Sequence, residues 1–537
     1  MATVANINDV IERRVALEVE CVDRLVLNAY VPSLQVGGQV ARFITGHLGK
    51  PIASAAVLGS IGNRFRRDVR RFADAHGIPV LALKKPDRTR WDDRKLDHVR
   101  PYLERAERER RFGVVAIVAC QEFHWVFSAR NRGKGNAVWF EFFREQRRVG
   151  VDYFYICDPD FGPGFIKIAT CFPYPAQVWV NGHEWAKRQA DHAGLAYRAL
   201  SNGFASTPEP ERLQAICDGF APGHVQAFFD RWMACIPTPL TSHDRAAGYW
   251  WQLSIRQVEI SRTIVFDDPR RARGFFEALV ADNIGIGRPE QVSMVFARPL
   301  RRPAKTDYGT RVFTTGTDVR IDFRYKHCRI KQYLKDSRAL RVETVINNPT
   351  DLDVRRRLEH LPELVQKARQ VNQRLLIIER AGQSCAIGSA LFERLHLPDD
   401  REGHRTGALR FGDTRAMALA GALCHQLHTV AGFTNKTLRA IVAAHLGHDY
   451  SQSRMSYDLR RLRLHGLIRR LPRSNTYVLT PEGIRVAVFY TKLQNRLLRP
   501  LLEADKPPAK IEIRRALNTL EQAVKHYTAA ARLTPAT

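Results

Sequence analysis

The stretch TNKTLRAIVAAHLGHDYSQSRMSYDLRRLRLHGLIRRLPRSNTYVLTPEGIRVAVFYTKLQNRLL, Thr434 to Leu498, decides how the C-terminal part of this chain folds. Leu438, Ile441, Val442 and Leu446 recur at helical spacing, which predicts an amphipathic helix over Thr434–Leu446. Thr434 or Asn435 can cap its start and Gly447 can end it. Ser451 and Ser453 can open a second helix, with Met455, Leu459, Leu462 and Leu464 apolar and Gly466 closing it. Arg454, Arg460, Arg461 and Arg463 stand between those positions and are expected to form a basic face opposite the apolar one. Leu467 and Ile468 begin a short strand, Pro472 to Asn475 make a turn, and Thr476–Leu479 return as the partner strand. Pro481 suits a first helical turn, and Ile484–Leu498 reads as a further helix.

In this order of elements, and above all in SYDLRRLRLHGLI and YVLTPEGIRVA, the stretch resembles the winged-helix domains of MarR-like and related bacterial regulators. The resemblance implies duplex DNA as partner. A helix enters the major groove, where arginines address phosphates or guanine edges, and Arg469, Arg470 and Arg473 ride on the hairpin against the backbone. Winged helices also serve in replication, recombination and protein contact, so the resemblance names a module and not a task.

Bulk properties agree with a polyanion partner. The 537 residues hold 84 Lys+Arg against 55 Asp+Glu, a net charge of +29. In a folded chain that excess favours nucleic acid. A hydrophobic content of 45% permits full-sized cores and excludes a disordered tail protein. No run of eighteen apolar residues exists, so no membrane partner is expected. The opening MATVANINDVIERR lacks the apolar core of a signal peptide, and a cytoplasmic, nucleoid-associated location is the expectation. Nine scattered cysteines form no CxxC, which argues against structural zinc and a disulfide framework.

The expected fold class is α+β multidomain: a mixed-sheet body, a helical linker and a C-terminal winged helix. Alternating patterns suggest an N-terminal α/β domain over residues 1–150 and an aromatic-rich α+β domain over 151–348. A helical linker follows over 349–432, then the winged helix over 433–500 and a helical tail over 501–537. Leu17–Val31 fits strand or helix; Ile61–Ala75 reads as an arginine-bearing helix and Phe112–Ala129 as a long apolar strand or a strand pair. Gly162-Pro163-Gly164 reads as a turn between strands.

Catalytic candidates lie in the body. Asp158 and Asp160 follow the apolar strand YFYIC, and carboxylates at a strand end can hold Mg2+ for phosphodiester chemistry. The segment is loosely similar to the opening meander of RNase H-like nucleases and transposases, which implies further acids; Glu184, Glu259 and Glu343 are available. As an alternative, Asp-Pro-Asp-Phe-Gly is a good turn on its own. A second candidate is YKHCRIKQYLKDSRALRVE, with Lys326, Lys331, Tyr333, Lys335, Arg341 and Glu343 on adjacent strands. It is similar to strands of phage and plasmid replication initiators, which nick DNA with a tyrosine and a metal-binding histidine pair. This chain has no His-x-His, which tells against tyrosine nicking and leaves a phosphate-tracking strand as the other reading. His183 and Glu184 in NGHEW suit an acid–base pair or a capped helix start, and Trp185, Trp250 and Trp251 suit base stacking or core. No GxxxxGK[ST], GxSxG or HExxH occurs.

Three functions follow as expectations, one leading and two alternatives. The leading one is a replication-initiator-like or transposase-like DNA-binding protein of a mobile element, using Mg2+ if catalytic. The alternatives are a non-catalytic regulator acting as a homodimer and a protein that handles single-stranded DNA or RNA.

Overall fold

The computed structural model describes residues 15–83, 93–133, 139–270, 308–315, 318–383, 389–398, 406–424, 433–472 and 474–493, with isolated positions in 271–279 and 519–523. The architecture is mixed α/β, with one large sheet and many helices. The chain divides into two compact units. A sheet unit comprises the described residues of Ile11–Glu277 and Arg311–Asn372; a second unit, helical in its described part, includes those of Gln373–Thr537. Apart from isolated positions, the tail helix expected over 501–537 lies outside the described residues. Among the described residues no helix is long and apolar enough to cross a membrane.

The sheet unit opens with β1 (Val15–Tyr30), α1 (Gly37–Arg42), α2 (Ala55–His76), β2 (Val80–Ala82), α3 (Asp93–Glu109), β3 (Gly113–Asn131), β4 (Phe140–Asp158), β5 (Gly162–Ala169) and β6 (Ala176–Asn181). It continues with α4 (Gly182–His192), β7 (Arg198–Leu200), β8 (Gly203–Ser206), α5 (Pro210–Asp218), α6 (Pro222–Cys235), α7 (Ser242–Ala246) and β9 (Gln252–Phe266). The last strands are β10 (Tyr308–Thr315), β11 (Asp318–Tyr325), β12 (Cys328–Lys335) and β13 (Ala339–Ile346), followed by α8 (Leu361–Gln383). Eleven strands form one sheet in the order β10-β11-β12-β13-β9-β1-β6-β5-β4-β3-β2. β4 runs straight through residue 150, so strands from both of the first two expected segments share this sheet.

Leu17–Val31 is resolved as strand, because β1 lies mid-sheet between β9 and β6 and buries residues on both faces. The Gly162–Gly164 stretch is not a turn: the chain reverses at residues 159–161, and Gly162 already pairs with Asp158 as the first residue of β5. On one face of β13 and β9, Val342, Ile346, Val258, Ile260 and Ile264 are buried. There Asn372 of α8 accepts a 2.7 Å hydrogen bond from Thr344 Oγ1 and donates one of 3.1 Å to the Ile260 carbonyl.

The helical unit holds α9 (Ser389–His396), α10 (Thr414–Cys424), α11 (Asn435–Leu446), α12 (Gln452–Leu464), the ribbon β14 (Ile468–Arg470) with β15 (Tyr477–Leu479), and α13 (Pro481–Leu493). The signals read from the residues act as expected. Thr434 Oγ1 accepts from the Thr437 amide, Ser451 Oγ accepts from the Arg454 amide, and Gly447 closes α11 at φ 72°. α10 is buried from Ala416 to Cys424 and shares a core with Leu438, Val442, Met455, Leu459, Leu462, Val486 and Tyr490. Gly483 is required by close packing: a Cβ there would lie 1.9 Å from the Leu467 carbonyl oxygen, so any side chain would push α13 off the base of the ribbon.

Candidate functional site

Helix α12 is anchored from beneath by one buried carboxylate. Asp458 is fully buried and accepts from Arg415 through Nε at 3.0 Å, with Nη2 also 3.0 Å away, and from the Tyr450 hydroxyl. Burial, together with the hydrogen bond to Asp458, pushes the Tyr450 phenol up to about 12, so it stays a donor at neutral pH. Asn435 of α11 donates to the Ser456 hydroxyl at 2.9 Å and to the Gln452 carbonyl at 3.2 Å, tying the two helices together.

This anchoring corrects the expected basic face. Arg461 is only 7% exposed; its Nε donates to the Gly407 carbonyl at 2.9 Å and its Nη1 lies 3.5 Å from Asp458. It braces the helix and does not face outward. Arg454, Arg460 and Arg463 are exposed. Ser453, Ser456, Tyr457, Arg460 and Arg463 fall at i, i+3, i+4, i+7 and i+10, one exposed stripe along α12, with Arg454 at its flank. On the ribbon Arg469 and Arg470 are exposed, opposite Val478 and Tyr477 respectively. Arg470 also closes its own turn, donating to the Ser474 carbonyl at 2.8 Å and to Asn475 Oδ1 at 2.7 Å. Arg473 lies outside the described residues.

The expected acids are dispersed. Asp158 is fully buried and its two oxygens are occupied: Oδ1 accepts from the Asp160 and Phe161 amides, both at 2.8 Å, and Oδ2 from Arg231 at 2.9 Å and Trp232 Nε1 at 2.7 Å. Asp160 accepts from the other Arg231 nitrogen at 2.8 Å. These two carboxylates pin the β4–β5 turn to α6. Glu184 pairs with Lys187 at 2.8 Å in the first turn of α4, which Asn181 caps. His183 points elsewhere. Its Nε2 receives Arg341 Nη2 and lies 2.9 Å from Ser261 Oγ, and burial, with the Arg341 charge adding, pushes its pKa down. It is a neutral acceptor and not the acid–base partner of Glu184.

Glu343 joins a different set of acids. Cross-strand register places Lys331, Glu343, Ser261 and Cys21 in one row over β12, β13, β9 and β1, with Tyr333 opposite Arg341 in the next. The register of β1 shifts between Val22 and Arg24, and this irregularity brings in Asp23. Asp23, Glu259 and Glu343 are buried, and their oxygens lie within 4.8 Å of one another. Lys331 lies 3.2 Å from Glu259 and 3.5 Å from Glu343; Arg341 lies 3.1 Å from Asp23 and 2.9 Å from Glu343. Asn202 donates to Asp23 at 2.7 Å, Gln257 to Glu259 at 2.7 Å, and Tyr333 to Glu343 at 2.7 Å. Burial and the Glu343 charge push the Tyr333 phenol well above its usual range. Lys331 and Tyr333 therefore turn inward to acids, whereas Lys326 sits exposed in the β11–β12 turn and Lys335 ends β12, partly buried.

Sequence reading missed Asp23, whose signal was the polar pair Asp23-Arg24 interrupting the apolar run of β1. The expected base stackers are also taken: Trp185 and Trp251 are buried, and Arg245 lies 4.7 Å over the Trp250 ring. Among the described residues one further group converges, His47, His243 and Asp244, with His47 Nε2 2.7 Å from Asp244 and the two imidazoles stacked. No protein-family model matches the chain, and no curated protein or solved structure shows significant similarity to it.

Proposed function

We propose that this protein binds duplex DNA, with α12 in the major groove and the ribbon β14–β15 against the flanking backbone, as in a winged helix. The observation that carries the reading is the exposed stripe of α12. Arg460 and Arg463 are exposed along it, while Asp458, Arg415 and Arg461 brace the helix; Tyr457 is half-exposed at the edge of the stripe, its hydroxyl accepting from the Gly407 amide at 3.1 Å and its ring 5.6 Å from the Arg415 guanidinium. A groove-reading helix needs this division, because side chains reach base edges at fixed positions only when the helix beneath them is held rigid. Arg469 on the ribbon supplies a further phosphate contact beside it.

The test is titration of the whole protein with labelled duplex DNA at several salt concentrations. Arg454→Ala and Arg460→Ala are each expected to weaken binding and to reduce the salt slope by about one. Unchanged affinity and slope in both would remove α12 from the interface.

A second reading, an initiator or transposase that cuts DNA with Mg2+, draws support from one observation only: the convergence of Asp23, Glu259 and Glu343. Lys331 bridges two of those carboxylates, so a divalent ion would have to displace its ammonium group. Magnesium- or manganese-dependent cleavage, abolished by EDTA and by Glu343→Gln, would establish it. Cleavage that persists in Glu343→Gln would exclude this cluster.

A further inference from the structure

The longest hairpin of the sheet unit extends past its neighbours. β2 pairs with β3 only over Val80–Ala82, and β5 pairs with β4 only from Val151 onward. Among the described residues Gln121–Asn131 and Phe140–Gly150 therefore continue as a two-stranded ribbon with no third strand paired to it, tied to the segment after β5 by Phe127 N donating to the Phe172 carbonyl and Thr170 N donating to the Gly150 carbonyl. Such a ribbon has two faces. Val126 and Val149 belong to one, which packs under α3 with Val118, Val151 and Tyr153. Phe123 opposite Arg148 and Trp125 opposite Gln146 belong to the other. On that second face Phe123 is 64% exposed and Trp125 58% exposed, and Arg148 is exposed beside them.

The same face continues toward α2. Asp152 pairs with Ala119, two residues along each strand from the Gln121–Gly150 pair, so its side chain shares the face of Phe123. α2 crosses there, since Gly62 approaches the Thr170 carbonyl so closely that a Cβ would lie 2.5 Å from the oxygen. Its Arg66 and Arg70 are exposed and lower the charge penalty on Asp152. At the other end Arg144 is exposed and lies 5.6 Å over the Phe127 ring.

Two large aromatic rings left in water beside arginines are unusual in a packed domain. The aromatic planes suit unpaired bases, and the guanidinium groups suit the phosphates that run between them. A duplex keeps its bases stacked internally and would leave both rings without a partner. We infer that this face binds single-stranded DNA, with Trp125 and Phe123 stacking on successive bases and Arg148, Arg144, Arg66 and Arg70 tracking the backbone. The site lies in the sheet unit and does not depend on the reading of α12.

The experiment is fluorescence anisotropy of a labelled twenty-nucleotide oligothymidine with the full chain, alongside the matching oligouridine and a duplex. The wild-type protein is expected to bind oligothymidine and to lose Trp fluorescence on binding. Phe123→Ala with Trp125→Ala should weaken binding at least about tenfold. Trp125→Phe should keep most of the affinity while removing most of the quench, a split that a purely structural role would not produce. Arg144→Ala with Arg148→Ala should lower the salt slope by about 1.4. Duplex binding should be unchanged in all of these variants, which separates failure here from failure of the α12 proposal. Wild-type protein that does not bind oligothymidine, or unchanged affinity in the double aromatic variant, would overturn the inference. Tighter binding of oligouridine would overturn its assignment to DNA. A change of oligomeric mass without a change of affinity would make the face a contact between copies.

Discussion

The polar band across β12, β13, β9 and β1 and the outer stripe of α12 use the same residue types to opposite ends. In the band Lys331 and Arg341 are withdrawn from water and meet Asp23, Glu259 and Glu343. On α12 Arg454 and Arg460 stay exposed, and the inward-facing Arg461 has gone to a carbonyl and a carboxylate. A cation can release counterions from a polyanion only where it has not already been neutralised inside the fold. The large positive charge of the chain therefore overstates what is offered to a partner.

The sharpest way to break this comparison is Arg341→Met. Removing one member of a buried ion pair leaves its carboxylates uncompensated, and a loss of about 3–5 kcal/mol is expected in urea denaturation. Stability within error of wild type would mean that the band does not hold its charges in this way.

The next effect depends on pH and has the opposite sign. Burial, partly offset by Arg66 and Arg70, raises Asp152 from its usual 3.8 to about 6. A carboxyl whose pKa is higher in the folded state binds its proton more tightly there. Its contribution to stability therefore declines as pH rises from about 4 through about 6. Asp152→Asn should raise stability at pH 8 by at most about 3 kcal/mol and change little at pH 4. An equal gain at both pH values would show that the carboxylate charge is not the cause.

Arg460 and Arg461 are adjacent and should separate cleanly. Arg461→Ala is expected to lower stability by about 1–3 kcal/mol through its lost carbonyl and carboxylate partners. Arg460→Ala should alter stability by no more than about 0.5 kcal/mol while weakening duplex binding. Thermal melts and duplex titrations of both variants would sharpen the contrast, and the reverse pattern would sink it. The smallest expected effect is that of Arg469→Ala, a fall of about one in the salt slope with little change in melting temperature.

The C-terminal elements were legible because their signals are local. Helical spacing, Thr434 and Ser451 as caps, Gly447, and Pro481 at a helix start are each read within a few residues, and each acts where expected. The acids were not legible. Asp158 and Asp160 follow a strand as metal ligands would, yet both accept from Arg231, 71 or more residues away, on a helix whose position the strand does not announce. Tyr333 and Lys331 alternate as phosphate-tracking residues would, yet the opposing strand presents Glu343.

The sequence by itself determined the helices and the ribbon of Thr434–Leu493, the apolar strands of the body and the excess of positive charge. These depend on side-chain periodicity and on backbone preferences a few bonds apart. Only the tertiary structure decided that β4 joins two expected segments into one sheet, that Asp23 meets Glu259 and Glu343, that Arg461 turns inward, and that Phe123 and Trp125 remain in water while Trp185 and Trp251 do not. Those outcomes depend on which strand lies beside which. Strand order is set by burial over hundreds of residues, and no local pattern encodes it.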